Sequence, residues 1–158
     1  MRHYAFTTRW QLQAPVGPVW DAIVDVGSWP RWWKHVHAVE PLCPGDPNGL
    51  GAAHRYTWIG RLPYTLTFDA RVTEIALHRS VKAEAIGDLR GSGHWTFTED
   101  NSGTHVRYDW QVTTSKPWMN LLTPLLHPIF RWNHDQIMTE GGQALARHLG
   151  VGLAHGEG

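Results

Sequence analysis

The strongest constraint on the fold is a run of short segments between residues 53 and 115 in which apolar and polar residues alternate. Near the end of this run, for example, Tyr108 and Trp110 fall on one side while Arg107 and Asp109 fall on the other. A repeat of two residues is typical of a half-buried strand. Because short glycine-rich turns separate the segments, we expect successive strands to pair antiparallel.

An N-terminal strand with two short helices precedes this run, and a long helix follows it. Residues 3–13 alternate as well, and the apolar residues of 16–24 then repeat at helical spacing before a second short helix begins. No proline occurs in residues 129–149, which predicts a helix about 30 Å long. We expect Pro124 and Pro128 to interrupt or kink the helical region before it.

These elements predict an α+β fold with one domain over residues 1–150, and residues 151–158 are expected to form a flexible tail. A sheet with one apolar face needs a cover, and the long helix is the only element large enough to provide it. The predicted architecture is a curved antiparallel sheet of about seven strands wrapped around the long C-terminal helix, with two short helices after the first strand. A bent sheet that grips one helix seldom packs solid, so we expect a cavity of roughly 300–1,000 Å³ between helix and sheet.

Composition argues against several classes of partner. Lys plus Arg and Asp plus Glu both number 14, so the formal net charge is zero. This balance argues against nucleic-acid binding and against electrostatic docking on anionic lipid. No run of about 18 apolar residues occurs, so we expect no membrane insertion. Cys43 is the sole cysteine and no apolar signal segment is visible at the N-terminus, which together predict a cytoplasmic protein.

Tryptophan and histidine are unusually frequent, with 10 and 11 residues respectively. So many indoles, each with one N–H to satisfy, suit the walls of a cavity, although several could instead plug the ends of a sheet. We expect Trp29 and Trp32 to pack the short helices onto the sheet, and Trp33 to lie at the rim of the cavity. His35 and His37 are close in sequence, but no HExxH motif or cysteine pair accompanies them, so no metal site is predicted.

The sequence contains no motif for covalent catalysis or for a phosphate-containing cofactor. Cys43 lies in a loop rich in proline and glycine without a spacing signal to a histidine, and no G-x-S-x-G motif occurs. The stretch Gly87–Gly93 is typical of a turn, because no Lys-Ser or Lys-Thr pair follows it. We therefore predict no cofactor.

The segment APVGPVWDAIVDVGSWPRWW, Ala14 to Trp33, resembles the SRPBCC superfamily, also known as START-like or helix-grip proteins. It contains Ala14-Pro15, Val19-Trp20, Asp25 and Trp29-Pro30-Arg31-Trp32, and it is most similar to the polyketide cyclase/dehydrase branch. The resemblance extends over nearly the whole chain and implies a helix-grip fold. Because the superfamily includes lipid carriers, allergens that bind hydrophobic ligands, aromatase/cyclases and co-chaperones, the motif indicates a scaffold rather than one function. It supplies no catalytic residue common to the family.

Inward-facing polar residues are the remaining sign of a binding site. In the stretch Phe130 to Gly142, Asn133 and His134 fall at the edges of an otherwise apolar helix face. A buried polar group without a partner costs about 1–3 kcal/mol, so each of the two must bond an internal partner or face a ligand, and both alternatives remain open. An apolar pocket needs a few fixed polar groups to orient what it binds. The predicted ligand-binding residues are His54, Tyr56, Trp58, Tyr64, Phe68, Trp95, Tyr108, Trp110, Phe130, Asn133, His134 and Ile137.

Three functions are compatible with this pattern. The first is binding of a small hydrophobic or aromatic molecule in the cavity between sheet and helix. The second, which the resemblance implies, is an enzyme of the polyketide cyclase, aromatase or dehydratase type. In that enzyme His54 or His134 would act as acid or base, and Tyr56 or Tyr108 would polarise a carbonyl. The third is a protein-interaction module, which requires an exposed apolar patch.

Overall fold

The computed structural model describes residues 3–157, with the side chains of residues 123, 124 and 155–157 left out. Its elements follow one another in the predicted order of strand, short helices, strands and long helix. They are β1 (His3–Leu12), α1 (Val16–Val24), a 3₁₀ turn (Val26–Ser28), α2 (Trp29–Trp32), β2 (Val36–Cys43), β3 (Ala53–Ile59), β4 (Thr65–Ala76), β5 (Ser80–Gly87), β6 (Leu89–Asp100), β7 (Gly103–Thr114), α3 (Pro117–Leu149) and β8 (Leu153–Glu157).

All strands join one antiparallel sheet in the order β2-β3-β4-β5-β6-β7-β1-β8. Strands β2 to β7 pair with their neighbours in sequence, as short turns require. The helix-grip fold class predicted from the sequence is confirmed.

The sheet has eight strands rather than about seven, because β8 pairs with the edge of β1. In place of the flexible tail expected over 151–158, residues Leu153–Glu157 therefore extend the sheet. The short, glycine-containing segment lacks a regular alternation that would have indicated a strand. Residues Leu153–Glu157 form a strand because they pair with β1, whose backbone groups on that edge of the sheet would otherwise be unpaired.

The helix α3 spans 33 residues and is therefore about 50 Å long. Of the two expected effects of Pro124 and Pro128, an interruption or a kink, the interruption does not occur, since the helix begins at Pro117 and continues through both residues. Each proline removes one backbone hydrogen bond but holds φ near the helical value, so neighbouring turns keep the helix continuous. None of the helices in residues 3–157 is both long and apolar enough to cross a membrane.

Two glycines in α3 allow the helix to lie directly on two buried indoles. The Nε1 of Trp33 donates a hydrogen bond to the carbonyl oxygen of Ile137 at 3.0 Å, and the Nε1 of Trp10 donates to that of Met138, also at 3.0 Å. A Cβ atom on Gly141 would clash with the Trp33 ring, and one on Gly142 would lie 2.8 Å from Cδ1 and Nε1 of Trp10.

The expected position of Trp33 at a cavity rim is wrong, because its side chain is only 1% exposed. A buried indole must satisfy its N–H, and the carbonyl groups of α3 do this in the core. Trp32, which is half-buried, stacks on the outer side of Trp33.

We expect Gly141→Ala to lower the free energy of unfolding by up to about 2 kcal/mol. The gain in helix propensity of about 1 kcal/mol is outweighed by about 1–3 kcal/mol for overpacking against the Trp33 ring. Chemical denaturation measures the difference, and Gln143→Ala, at an exposed position two residues further along, is the matched control. Stabilisation by Gly141→Ala would contradict the close contact.

Candidate ligand-binding cavities

A cavity with a volume of about 700 Å³ lies against one face of the sheet, and we refer to it as the larger cavity. Its cover consists of α1, the 3₁₀ turn, Trp29 of α2 and the β2–β3 loop, and none of its described lining residues belongs to α3. Of the predicted ligand-binding residues, those that line it are His54, Tyr56, Trp58, Phe68, Trp95, Tyr108 and Trp110.

The smaller cavity, of about 110 Å³, lies between the sheet and α3. Four aromatic residues, Trp58, Phe68, Tyr108 and Trp110, line both cavities, and we refer to them as the shared wall. The other predicted ligand-binding residues that line the smaller cavity are Tyr64, Phe130, Asn133, His134 and Ile137.

The expected location of the main cavity beneath the long helix is therefore wrong. The cavity under α3 is smaller than the expected range, and the cavity within that range lies under the short helices and the β2–β3 loop. The space beneath the C-terminal half of α3 is filled by indoles, because Trp10 packs against both Trp33 and Trp95 with ring centroids 5.8 and 5.7 Å apart.

Two tyrosine hydroxyls are among the polar groups of the residues that line the larger cavity. Neither Tyr56 nor Tyr108 donates a side-chain hydrogen bond to any residue in the described part of the chain. Protein surrounds both rings, yet each keeps some accessible surface because it faces the cavity. Burial raises the pKa of Tyr56, and burial together with the nearby Tyr56 raises the pKa of Tyr108. Both phenols therefore stay protonated at neutral pH and offer O–H donors to the cavity.

The position of Tyr108 depends on the residues beneath its ring. It stacks on Trp95, its cross-strand neighbour on β6, with ring centroids 4.0 Å apart. A Cβ atom at Gly93 would lie 2.5 Å from the Tyr108 hydroxyl, so a residue without a side chain is required where the hydroxyl crosses β6.

His54 is the imidazole of the larger cavity. Its ring centroid lies 6.4 Å from that of Tyr56 on the same strand, and burial lowers the pKa of His54. The side chain is therefore neutral near pH 7 and able to accept a proton. Of the four candidate catalytic residues, His54, Tyr56 and Tyr108 lie together in this cavity, whereas His134 lines the smaller one.

Asn133 has internal partners for its side chain. Its Oδ1 accepts a hydrogen bond from the backbone N–H of Arg61 at 2.9 Å, and its Nδ2 donates to the Tyr64 hydroxyl oxygen at 3.3 Å. Gly60 leaves the space that the amide occupies. The amide thus attaches the β3–β4 loop to α3. Of the two alternatives for Asn133, an internal partner or a ligand, these hydrogen bonds correspond to the internal partner.

His134 stacks on the Phe6 ring with centroids 4.3 Å apart, and its Nδ1 lies 3.4 Å from Asp135 Oδ1. Burial lowers the pKa of His134, although the bond to Asp135 opposes this shift. The imidazole is therefore mainly a neutral aromatic surface at the wall of the smaller cavity. Its side chain is 14% exposed, which agrees with the predicted helical phase.

A cluster of charged residues around Glu140 was not predicted from the sequence. Glu140 on α3 forms ion pairs with Lys34 at 3.2 Å, with Arg61 at 2.5 Å and with His35. Burial would raise the pKa of Glu140, but the hydrogen bonds from Arg61, His35 and Lys34 outweigh it and lower the pKa to about 2. Glu140 is 105 positions from His35 and 79 from Arg61, so no local spacing could have indicated the cluster.

His35 is buried, with Nδ1 at 2.9 Å from the Ile59 carbonyl oxygen. Together with Glu140 it joins the start of β2 and the end of β3 to α3. Within residues 3–157, no group of three or more His, Cys, Asp or Glu side chains is placed to hold a metal ion.

A family model matches residues 12–139, and its description is "Polyketide cyclase / dehydrase and lipid transport". The chain belongs to this family. The matched part runs from the end of β1 into α3 and so includes the strands that line the larger cavity. A comparison with curated protein sequences finds no match.

Solved structures with the same fold include aromatase/cyclases. The two-domain aromatase/cyclase BexL of the BE-7585A biosynthetic pathway has a TM-score of 0.72 at 18% identity over 92% of this chain, which spans only 50% of BexL. TTHA0849 from Thermus thermophilus has a TM-score of 0.69 at 15% identity, with 93% of this chain and 99% of that chain covered. ZhuI aromatase/cyclase from Streptomyces has a TM-score of 0.65 at 15% identity, with 93% and 92% covered. At these identities the likeness shows a shared fold and no shared function.

We expect Glu140→Gln to destabilise the protein by about 1–3 kcal/mol at pH 7, because three charge-assisted contacts are weakened. The pKa of Glu140 in the folded state lies below its ordinary value of 4.5. The stabilisation is therefore present above pH 4.5 and is lost as the pH falls toward 2. Denaturation at several pH values should show the difference between wild type and variant shrinking below pH 4.5. Glu84→Gln, at an exposed position on β5, should show no such trend, and a constant difference for Glu140→Gln would contradict the assignment.

Proposed function

We propose that this family member binds a small, flat, mostly apolar molecule that carries an oxygen acceptor, and that it does so in the larger cavity. The observation that carries the proposal is the pair of hydroxyls, Tyr56 and Tyr108, which face an aromatic cavity without a partner among the described residues. A ligand carbonyl, hydroxyl or ether oxygen would accept a hydrogen bond from one or both hydroxyls, and each such bond is worth about 0.5–1.5 kcal/mol.

The shape of the ligand follows from the aromatic surfaces around it. Trp95 and Tyr108 present nearly parallel rings, with an interplanar angle of 17°, and Trp110 lies beside Tyr108 at a similar tilt. Such a surface favours offset stacking with a planar ring system. A volume of about 700 Å³ lies within the range of about 300–1,000 Å³ that is typical of small-molecule sites.

The shared wall also gives the smaller cavity a role in this proposal. Because Trp58 and Trp110 contribute to both cavities, a substituent that displaces one of these rings can extend from the larger cavity toward α3. His134 and Asn133 would then contact that substituent, while the polar end of the ligand stays at the two tyrosines.

Binding of a ketone-bearing naphthalene fluorophore tests the role of the hydroxyls. Loss of one hydrogen bond is worth about 0.5–1.5 kcal/mol, so Tyr56→Phe and Tyr108→Phe should each weaken the affinity by about 2- to 12-fold. Fluorescence titration gives the dissociation constant. Unsubstituted naphthalene, which has no acceptor, should bind wild type and both variants equally.

Tyr64→Phe is the matched control, because the Tyr64 hydroxyl accepts a bond from Asn133 in the smaller cavity. It should leave the affinity for the ketone unchanged. Equal losses for all three tyrosine variants, or equal losses for ketone and hydrocarbon, would exclude recognition of an oxygen acceptor by Tyr56 and Tyr108.

A second proposed function is an enzyme of the polyketide cyclase, aromatase or dehydratase type in the same cavity. The observation that favours it is the lowered pKa of His54 in the cavity that also holds two phenol donors. His54 would accept a proton from the carbon next to a ligand carbonyl, and a tyrosine O–H would stabilise the enolate oxygen.

Proton–deuterium exchange next to the carbonyl of the ketone probe separates the two functions. An enzyme should accelerate exchange in D₂O, and His54→Gln should lower the rate by about 10²–10⁴-fold with the probe still bound. Tight binding without accelerated exchange would support the binding function alone.

We also propose a reducing, cytoplasmic location, since Cys43 is the only cysteine.

A further inference from the structure

The outer face of the N-terminal half of α3 is a continuous apolar surface. Six large side chains in residues 118–132 are between 38% and 79% exposed, and we refer to them as the outer stripe. They are Trp118, Leu121, Leu122, Leu125, Ile129 and Trp132.

The spacing of the outer stripe is that of a helix-packing seam. At about 100° per residue, its six positions fall within an arc about 100° wide. Five of them follow one another at intervals of four, three, four and three residues, which is the heptad spacing of paired helices. The only Asp, Glu, Lys or Arg between residues 118 and 132 is Arg131. It lies outside the arc and packs over the Phe6 ring at 5.2 Å.

The inner face of the same helical segment is also apolar. Met119 and Phe130 are buried against the sheet, and Leu126 packs beside them. A helix that is hydrophobic all round is normally covered on all sides, yet nothing in the described part of the chain covers the outer stripe. Scattered exposed apolar residues need no explanation, but a contiguous patch of this kind marks an interaction site.

We propose that the outer stripe is the interface with a second copy of this chain, in which the two α3 helices pack antiparallel across a two-fold axis at Leu125. The stripe is close to palindromic about this residue. Trp118 and Trp132 lie seven residues to either side, and Leu121 and Ile129 lie four residues to either side. A two-fold interface must be self-complementary, with residue i contacting residue j and residue j contacting residue i.

The size of the stripe fits such a dimer. With about 200 Å² for each fully exposed large side chain, the exposed fractions correspond to roughly 600–700 Å² of apolar surface per chain. A standard interface buries about 800 Å² per partner, so a few flanking contacts complete the area. The absence of charged residues from the arc matches the core of a protein interface, where charges are depleted.

A bilayer surface is less compatible with the stripe than a second copy. Interfacial helices combine an apolar face with a strongly charged face that is rich in Lys and Arg. The opposite face of this segment instead packs against the sheet through Met119 and Phe130, so it presents no charged face to lipid headgroups.

The full chain should sediment as a dimer whose population falls on dilution, and Leu125→Glu should shift it to a monomer. Leu125 is 79% exposed in the single chain, so the variant should stay folded, but its melting temperature, unlike that of wild type, should not depend on protein concentration. Ile86→Glu is the matched control, because Ile86 is 56% exposed on β5, outside the stripe. Sedimentation equilibrium at several concentrations gives the result.

Cysteine crosslinking in a Cys43→Ser background tests the two-fold arrangement. Leu125→Cys should oxidise to a covalent dimer because residue 125 lies on the axis. Leu121→Cys should not, since its two copies would be about 12 Å apart along the helices, whereas Leu121→Cys with Ile129→Cys should crosslink. Crosslinking of Leu121→Cys alone would overturn the antiparallel arrangement.

Wild type that stays monomeric at all concentrations would overturn the proposal. Binding to vesicles of phosphatidylcholine and phosphatidylserine tests whether the outer stripe contacts lipid instead. Cosedimentation of a monomer with these vesicles, abolished by Leu125→Glu, would assign the stripe to lipid and also overturn the dimer. Neither result would affect the proposed ligand in the larger cavity, because no residue of the stripe lines that cavity.

Discussion

The structure depends on the contact between α3 and two buried indoles. Trp33 and Trp10 donate their N–H groups to the carbonyl oxygens of Ile137 and Met138, and Gly141 and Gly142 leave the space for the rings. The arrangement satisfies the only polar atom of each indole without water. Since the helix cannot come this close with any larger residue at the two positions, the contact fixes the height of α3 over the sheet.

The position of the free volume follows from this contact. Indoles fill the space beneath the C-terminal half of α3, so the sheet remains uncovered mainly beneath the short helices and the β2–β3 loop. Ring stacking between Trp95 and Tyr108 lines this space with an aromatic floor. Asn133 and the Glu140 cluster hold the β3–β4 loop and the start of β2 to α3.

The sequence predicted the inward faces of the strands because a repeat of two residues determines which side chains share a face. His54, Tyr56 and Trp58 of β3 and Tyr108 and Trp110 of β7 therefore lie on the cavity side. The helical phase likewise placed Asn133 and His134 on the edges of the buried face. The hydrogen bond from Trp33 to Ile137, the ion pairs of Glu140 and the pairing of β8 could not be predicted, because each joins residues at least 79 positions apart and depends on the packed structure. The location of the larger cavity could not be predicted for the same reason, because it depends on how the indoles pack beneath α3.

Indole N–H signals in ¹⁵N-labelled protein test most directly whether the larger cavity is the ligand site. The ten tryptophans include Trp58, Trp95 and Trp110 in that cavity and Trp10 and Trp33 in the packed core. On addition of the ketone probe, the signals of Trp58, Trp95 and Trp110 should shift in proportion to occupancy, while those of Trp10 and Trp33 should stay in place. Saturable binding that moves only Trp118 and Trp132 on the outer face of α3, or that leaves the three cavity indoles unchanged, would contradict the account.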